Sequence, residues 1–436
     1  MDGFHPMRAP IQAKAVLPGA LVGLLAFCAA CSEPSAPVHP WRANPAALEK
    51  LGEDAEARAR LERDLEALFG AAGAPSWPGE ALGRAELEAS SDGERRLARL
   101  REANAARHAR ALASIEAGEW DEVRAREPSL QSAWLKLRAE VEAEGAEGGS
   151  AELRARAKEL FLGWYPTLED SARLYAAECF HCHGAEGGGD GPTSHFLKPR
   201  PRDVRLGVYK WTALASPARP RRDDLLRVLK EGVNGTSMPS FARLSETQLE
   251  GLVDYVRLLS VRGEVELRMA ATFESDGEWE DEAARDELDA VLSRWSAAEE
   301  KLLYYDGPVP APTTESIARG EALYNDATKG NCSSCHGVDG RGDGPAAWKI
   351  GPDGERAPAY LDAWGDPILP RNLRLGIWRG GSRPIDLWRR IANGIPGGPM
   401  PALREAKDKD GARVVSDEEI WSLVHYVQSL QERGGP

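Results

Sequence analysis

Cysteine and methionine are both scarce in this chain, whose 436 residues hold six of the first and five of the second. Aromatic residues make up 7% and charged residues 28%, the balance of an ordinary soluble protein and not of a membrane bundle. Positive charge is in deficit. The formal net charge of −14 argues against nucleic acid as a general partner. Long apolar runs are missing too: the run at residues 15–30 is broken by Pro18 and is shorter than the roughly 20 residues that span a bilayer.

Four of the six cysteines stand in two copies of one motif, Cys179-Phe180-His181-Cys182-His183 and Cys332-Ser333-Ser334-Cys335-His336, which begin 153 residues apart. Two intervening residues let both sulfurs of a pair reach the two vinyl groups of one haem, and the next residue turns an imidazole toward the iron. The copies therefore point to two covalently bound haem c groups. A zinc knuckle made from two Cys-x-x-Cys pairs expects them roughly 15 to 20 residues apart. A thioredoxin-like redox pair expects a βαβ context and has no reason to place histidine after both pairs.

The chain divides by composition. Arg8 and Lys14 before the apolar run make residues 1–30 a signal peptide for export. It ends in Cys28-Ala29-Ala30-Cys31, which resembles a bacterial lipobox with Cys28 in the usual aliphatic position, and that makes Cys31 the expected lipidation site. Residues 31–40 read as a flexible tether. Residues 41–170 form an Ala/Glu/Arg/Leu-rich helical region with no ligand constellation, in which His108 is expected on a helix surface. Haem segments follow at 171–262 and 313–436, joined by an acidic helical linker at 263–312. Residues 261–331 carry 7 Lys/Arg against 17 Asp/Glu, so the acidity lies outside the motifs.

The two haem segments repeat one another. After the motif histidines come Gly184-Ala185-Glu186-Gly187-Gly188-Gly189-Asp190-Gly191-Pro192 and Gly337-Val338-Asp339-Gly340-Arg341-Gly342-Asp343-Gly344-Pro345. Pro201-Arg202-Asp203-Val204-Arg205-Leu206-Gly207-Val208-Tyr209 then answers Pro370-Arg371-Asn372-Leu373-Arg374-Leu375-Gly376-Ile377-Trp378. An amphipathic helix leads in each copy to a Gly-rich loop with Met238-Pro239 or Met400-Pro401, and a terminal helix closes each. Between Pro345 and Pro370 lie 24 residues, including Trp348, Tyr360 and Trp364, where the first copy has 8 between Pro192 and Pro201. This longer loop is expected to cover the second haem or touch the first domain.

In this order of features each segment resembles a class I cytochrome c domain, and residues 170 to 431 together resemble bacterial di-haem cytochromes c. The resemblance implies an all-α fold of two such domains in tandem, preceded by the helical N-terminal segment. It implies Met238 opposite His183 and Met400 opposite His336, a soft thioether that raises the potential above that of two imidazoles. Met269 receives no role, and His195, His181 and His425 are set aside as ligands, with His425 expected toward solvent. It further implies that the carbonyls of Pro192 and Pro345 receive the imidazole N–H groups. Arg202 and Arg371, or Arg205 and Arg374, are placed to meet buried propionates, with a solvated surface arginine the competing reading for each.

With both irons closed, no catalytic residue is expected. The function implied is one-electron transfer between redox partner proteins of a respiratory or periplasmic chain, on the periplasmic face of a membrane and held by the lipid anchor. Lys198, Arg200, Arg202, Arg219, Arg221 and Arg222 offer a basic face for an acidic partner, or a solvated face without that role. The alternative is a di-haem peroxidase with one open haem, a reading that methionine in both equivalent positions weakens.

Overall fold

The computed structural model describes residues 37–432 except 79–83, 90–92, 127–129, 144–150, 215–216, 301–304 and 306. The signal, Cys31 and most of the 31–40 tether lie outside the described residues. The architecture is all-α, and among the described residues strands occur only as three two-stranded hairpins. No described helix is long and apolar enough to cross a membrane.

Each haem segment is built on two crossing helices. Leu168–Glu178 leads into the first motif and crosses Glu246–Asp276; Thr314–Asn325 leads into the second and crosses Asp417–Glu432. Local chemistry starts these helices where they start. Thr167 and Asp170 form a capping box, as do Ser245 with Gln248 and Thr313 with Ser316, so the first backbone N–H groups are satisfied. The crossings are close enough to demand glycine: a Cβ on Gly320 would lie 2.0 Å from the Ser422 carbonyl oxygen, and one on Gly251 2.5 Å from Pro166 Cγ. At each crossing two tyrosines meet, Tyr175 with Tyr255 at 5.1 Å and Tyr324 with Tyr426 at 5.2 Å between ring centroids. Tyr255 and Tyr426 thus pack on the leading helices.

The cores divide differently from the composition. One core joins Leu51, Leu61, Leu65 and Phe69 of the N-terminal helices Pro45–Leu51 and Ala55–Phe69 to Leu252, Val253 and Leu259 of the first haem domain and to Val291 and Trp295 of Ala283–Glu300. Each such buried aliphatic side chain contributes about 1.5–3 kcal/mol relative to exposure. The helix Glu246–Asp276 runs unbroken through residue 262, where composition suggests a domain boundary, and Met269 is a fully buried packing residue on it. A second core lies in the second haem domain around Trp388, Ile420, Trp421 and Val424, with Tyr305 of the preceding linker packed against it. A third belongs to the N-terminal helices, with Ile115, Trp134, Val141 and Phe161 at its centre. His108 is buried in this region, edge-on to Phe161 at 5.5 Å, and not on a helix surface as expected. Its polar sequence neighbours hid the tertiary contact.

Candidate haem site

Each motif closes a single helical turn, Phe180–His183 or Ser333–His336, stopped by a glycine at φ 77° or 78°. Glycine is required at these stops, since a Cβ on Gly184 or Gly337 would lie 2.3 or 2.0 Å from the carboxylate oxygen of Asp190 or Asp343. His183 N–H donates to the Cys179 carbonyl at 2.9 Å and His336 N–H to that of Cys332 at 2.8 Å, which brings both sulfurs and the imidazole onto one turn. Tyr175 and Tyr324 reach in from the leading helices and donate to the carbonyls of Gly184 and Gly337 at 3.0 and 2.9 Å.

Both imidazoles are fixed in the same way. Nδ1 of His183 lies 3.3 Å from the Arg202 carbonyl, and Nδ1 of His336 lies 3.3 Å from the Arg371 carbonyl. A carbonyl only accepts, so Nδ1 carries the hydrogen and Nε2 keeps a free lone pair, the tautomer an iron ligand needs. Burial lowers the affinity of both rings for a proton, with the carbonyl contact opposing it. Burial also pushes the Cys179 and Cys332 thiols up to about 12.

The acceptors differ from those the resemblance implies. Pro192 and Pro345 are exposed, because the preceding glycines turn inward: Gly191 N–H donates to the Cys182 carbonyl at 3.2 Å and Gly344 N–H to that of Cys335 at 3.1 Å. Their carbonyls therefore give way to those of Arg202 and Arg371. Arg205 is taken up within its own loop, donating to Asp203 at 2.9 and 2.8 Å, and neither it nor Arg374 lines the haem cavity.

One continuous cavity of about 830 Å³ contains both motifs. Cys179, Cys182 and His183 line it with Met238, as do Cys332, Cys335 and His336 with Met400. Both methionine loops are tied at the backbone: Val233 N–H donates to the Met238 carbonyl and Ile395 N–H to that of Met400, each at 3.1 Å. Two sulfurs for the vinyl groups, a neutral imidazole and a thioether from an opposing loop are the donors a covalent haem takes, and the apolar walls suit its macrocycle. The residues fit two haems.

The other histidines stay outside. His181 and His195 are exposed. His425 is buried and not solvent-facing, because Nδ1 meets the Ser316 hydroxyl at 2.8 Å and Nε2 the Pro310 carbonyl at 3.0 Å. The basic face is also reduced: Arg219 pairs with Glu264, Arg222 is buried against Glu250 and Asp254, and Arg202 pairs with Asp362.

Asp362 lies in the long loop of the second domain, which folds into the hairpins Trp348–Ile350 with Arg356–Pro358 and Tyr360–Leu361 with Pro367–Ile368. The loop touches the first domain, one of the two roles expected of it, and also lines the shared cavity. Tyr360, Ile368 and Leu369 line the cavity, while Trp364 Nε1 donates to the Asp203 carbonyl of the first domain at 2.8 Å. The repeat as aligned through Tyr209 and Trp378 leaves out the next pair, Lys210 and Arg379. Extending the repeat by one residue exposes it, and both side chains line the cavity.

Residues 166–256 match the family described as Cytochrome C oxidase, cbb3-type, subunit III, and residues 317–431 match the family Cytochrome c. No curated protein matches the chain. Among solved structures, a chain of the reducing HAO-like protein complex of Kuenenia stuttgartiensis is similar at 29% identity, with a TM-score of 0.44, over 61% of this chain and 97% of that one.

Proposed function

Because this chain is a di-haem cytochrome c, with two cytochrome c domains in tandem and two covalently bound haem c groups, we propose that it carries electrons one at a time with both irons closed by histidine and methionine. Its domains are modules of haem-based electron transfer. Cys179 and Cys182 would hold the first haem, with His183 and Met238 as its iron ligands; Cys332 and Cys335 would hold the second, with His336 and Met400. Each haem supplies one reversible electron when bound. The arginine carbonyls orient the imidazoles, and the tied methionine loops keep a sixth ligand in reach so that neither iron opens to oxygen or peroxide.

The observation that carries this reading is the equivalence of the two sites: the same carbonyl contact at 3.3 Å behind each histidine, with each methionine on the same cavity. The lipobox-like Cys31 supports a lipid-anchored protein on the periplasmic face of a membrane, serving a respiratory or periplasmic redox complex either as a carrier or as its cytochrome subunit.

Spectroscopy of the haem-loaded protein tests this. Two low-spin ferric haems, a methionine–iron charge-transfer band and reduction by two electrons per chain are expected. A high-spin haem with peroxide turnover would replace the carrier with a peroxidase.

A further inference from the structure

Three residues before each cavity methionine stands a glycine in the left-handed region, Gly235 at φ 69° and Gly397 at φ 67°. Each is a point of support for its loop, and the supports differ. A Cβ on Gly235 would lie 2.7 Å from Ile377 Cγ2, and Arg379 Nη2 donates to the Gly235 carbonyl at 3.2 Å, so the first loop meets the second domain directly. Gly397 is met from its own domain, by the turn at 362–366. Ala363 N–H donates to the Gly397 carbonyl at 2.9 Å, and a Cβ on Gly397 would lie 2.9 Å from Trp364 Cζ3.

The turn is closed on itself. Asp362 N–H donates to the Asp366 carbonyl at 2.9 Å, and Asp362 Oδ1 accepts from the Trp364 and Asp366 backbone N–H groups at 3.1 Å each, which fixes the direction in which the indole leaves. The first domain holds the far end of that indole. Trp364 Nε1 donates to the Asp203 carbonyl at 2.8 Å, and the Arg202 guanidinium and Lys210 ammonium lie 4.6 and 5.2 Å from the ring centroid, within cation–π range. The Arg202 carbonyl, one residue earlier, receives His183. One side chain thus reaches from the segment behind the first domain's histidine to the loop that carries the second domain's methionine. Trp364, Asp203 and Gly397 do not line the haem cavity, so this bracket lies behind the methionine loop and outside the space that the haems fill.

How firmly a methionine closes an iron depends on how much of the time its loop stands in the ligating position, and an incoming ligand binds in proportion to the fraction that is open. We propose that Trp364 is a positioning residue for Met400: gripped by the first domain at Asp203, Arg202 and Lys210, its indole holds the loop at Gly397 in place, so that docking of the first domain secures the sixth ligand of the second. Met238 is independent of it, because Gly235 is supported by Ile377 and Arg379 instead. This rests on His336 and Met400 closing the second iron.

Imidazole is the probe. Titrated into the ferric, haem-loaded protein it takes the place of methionine on an iron, and the methionine–iron charge-transfer band is lost as it binds. Met238→His leaves that band to Met400 alone, and Met400→His leaves it to Met238 alone. In the Met238→His background Trp364→Ala is expected to let imidazole bind about tenfold more tightly, since it removes two cation–π contacts and a hydrogen bond that hold the closed loop. Trp364→Phe keeps a ring on Gly397 but gives up the bond to Asp203, for a shift of about threefold in the same direction. In the Met400→His background neither substitution is expected to shift imidazole binding, and Leu361→Ala, exposed beside the turn, is expected to shift it in neither background. The proposal is overturned if Trp364→Ala leaves the Met400 band as resistant as before, if it weakens the Met238 band equally, or if Leu361→Ala matches it. No shift with Trp364→Phe overturns the part given to the first domain, and that variant alone decides if Trp364→Ala does not fold. A protein of unaltered sequence that lacks the band overturns the closed-iron reading itself.

Discussion

The two haem domains share their local chemistry and differ in what surrounds it. The second keeps most of its core to itself: Trp388, Ile420, Trp421 and Val424 pack among its own residues, with Tyr305 and Pro310 of the adjoining linker reaching in. The first is embedded. Its terminal helix continues to Asp276, its core includes helices from both ends of the neighbouring sequence, and its buried charge network extends to residues outside the repeat. Arg222 lies at the centre of that difference, donating to Glu250 at 2.6 Å and to Tyr165 at 2.7 Å and pairing with Asp254. Arg96, from the N-terminal helix Gly93–Arg107, joins through Glu250 at 2.8 Å. A duplicated haem module can thus keep its binding turn while one copy becomes dependent on an added helical region.

Breaking the dependence should have the largest effect. Arg222→Met leaves Glu250 and Asp254 buried with less compensation and should destabilise the first domain by about 3–5 kcal/mol, since removing one partner strands the charge of the other. The corresponding second-domain segment, Pro384–Asn393, should keep its hydrogen-exchange protection. Equal loss of protection in both domains would show that they unfold as one unit and erase the contrast.

A smaller effect separates the helix crossings. The Cβ of Gly320→Ala would meet the fixed backbone carbonyl of Ser422 at 2.0 Å, whereas that of Gly251→Ala meets the side chains of Pro166 and Ser171 at 2.5 and 2.6 Å. Side chains yield more readily than backbone. Overpacking of this kind costs about 1–3 kcal/mol, so thermal unfolding should place Gly320→Ala at the upper end of that range and Gly251→Ala at the lower. The reverse order would mean that the first crossing is the more rigid.

Legibility in the sequence followed the range of each interaction. The motif turns, the methionine loops and the crossing helices depend on contacts that recur in order in each copy, so the repeat displays them. The imidazole acceptor is different: several carbonyls follow each histidine, and spacing does not say that Gly191 and Gly344 turn back on Cys182 and Cys335 while Arg202 and Arg371 come forward. Buried His108 and His425 were hidden for a related reason. Their partners, Phe161 for one and Ser316 with Pro310 for the other, are remote in sequence. Asp362 meets Arg202 and Lys210 only once the domains are docked, and no pattern within either copy announces it.

Acid should reveal the same contrast more gently. In the first domain and its extended terminal helix, burial raises the carboxyls of Glu186, Asp224 and Glu266 above their ordinary range despite nearby cations. In the second domain Asp326 is lowered by its bonds to Thr328, while Asp386 and Glu419 are lowered because Arg383 and Lys329 outweigh burial. A raised folded-state pKa means that the native protein holds its proton more tightly than the unfolded chain, so its contribution improves as pH falls through that pKa. A lowered one means the opposite, and its contribution is present above the unfolded value of about 4 and is lost as pH falls through the folded one. Between neutral pH and pH of about 3, the second domain should therefore lose hydrogen-exchange protection before the first. Asp386→Asn, which removes a carboxylate that Arg383 stabilises at 2.8 Å, should narrow the interval between them. An unchanged interval would move the source of acid sensitivity away from these carboxylates.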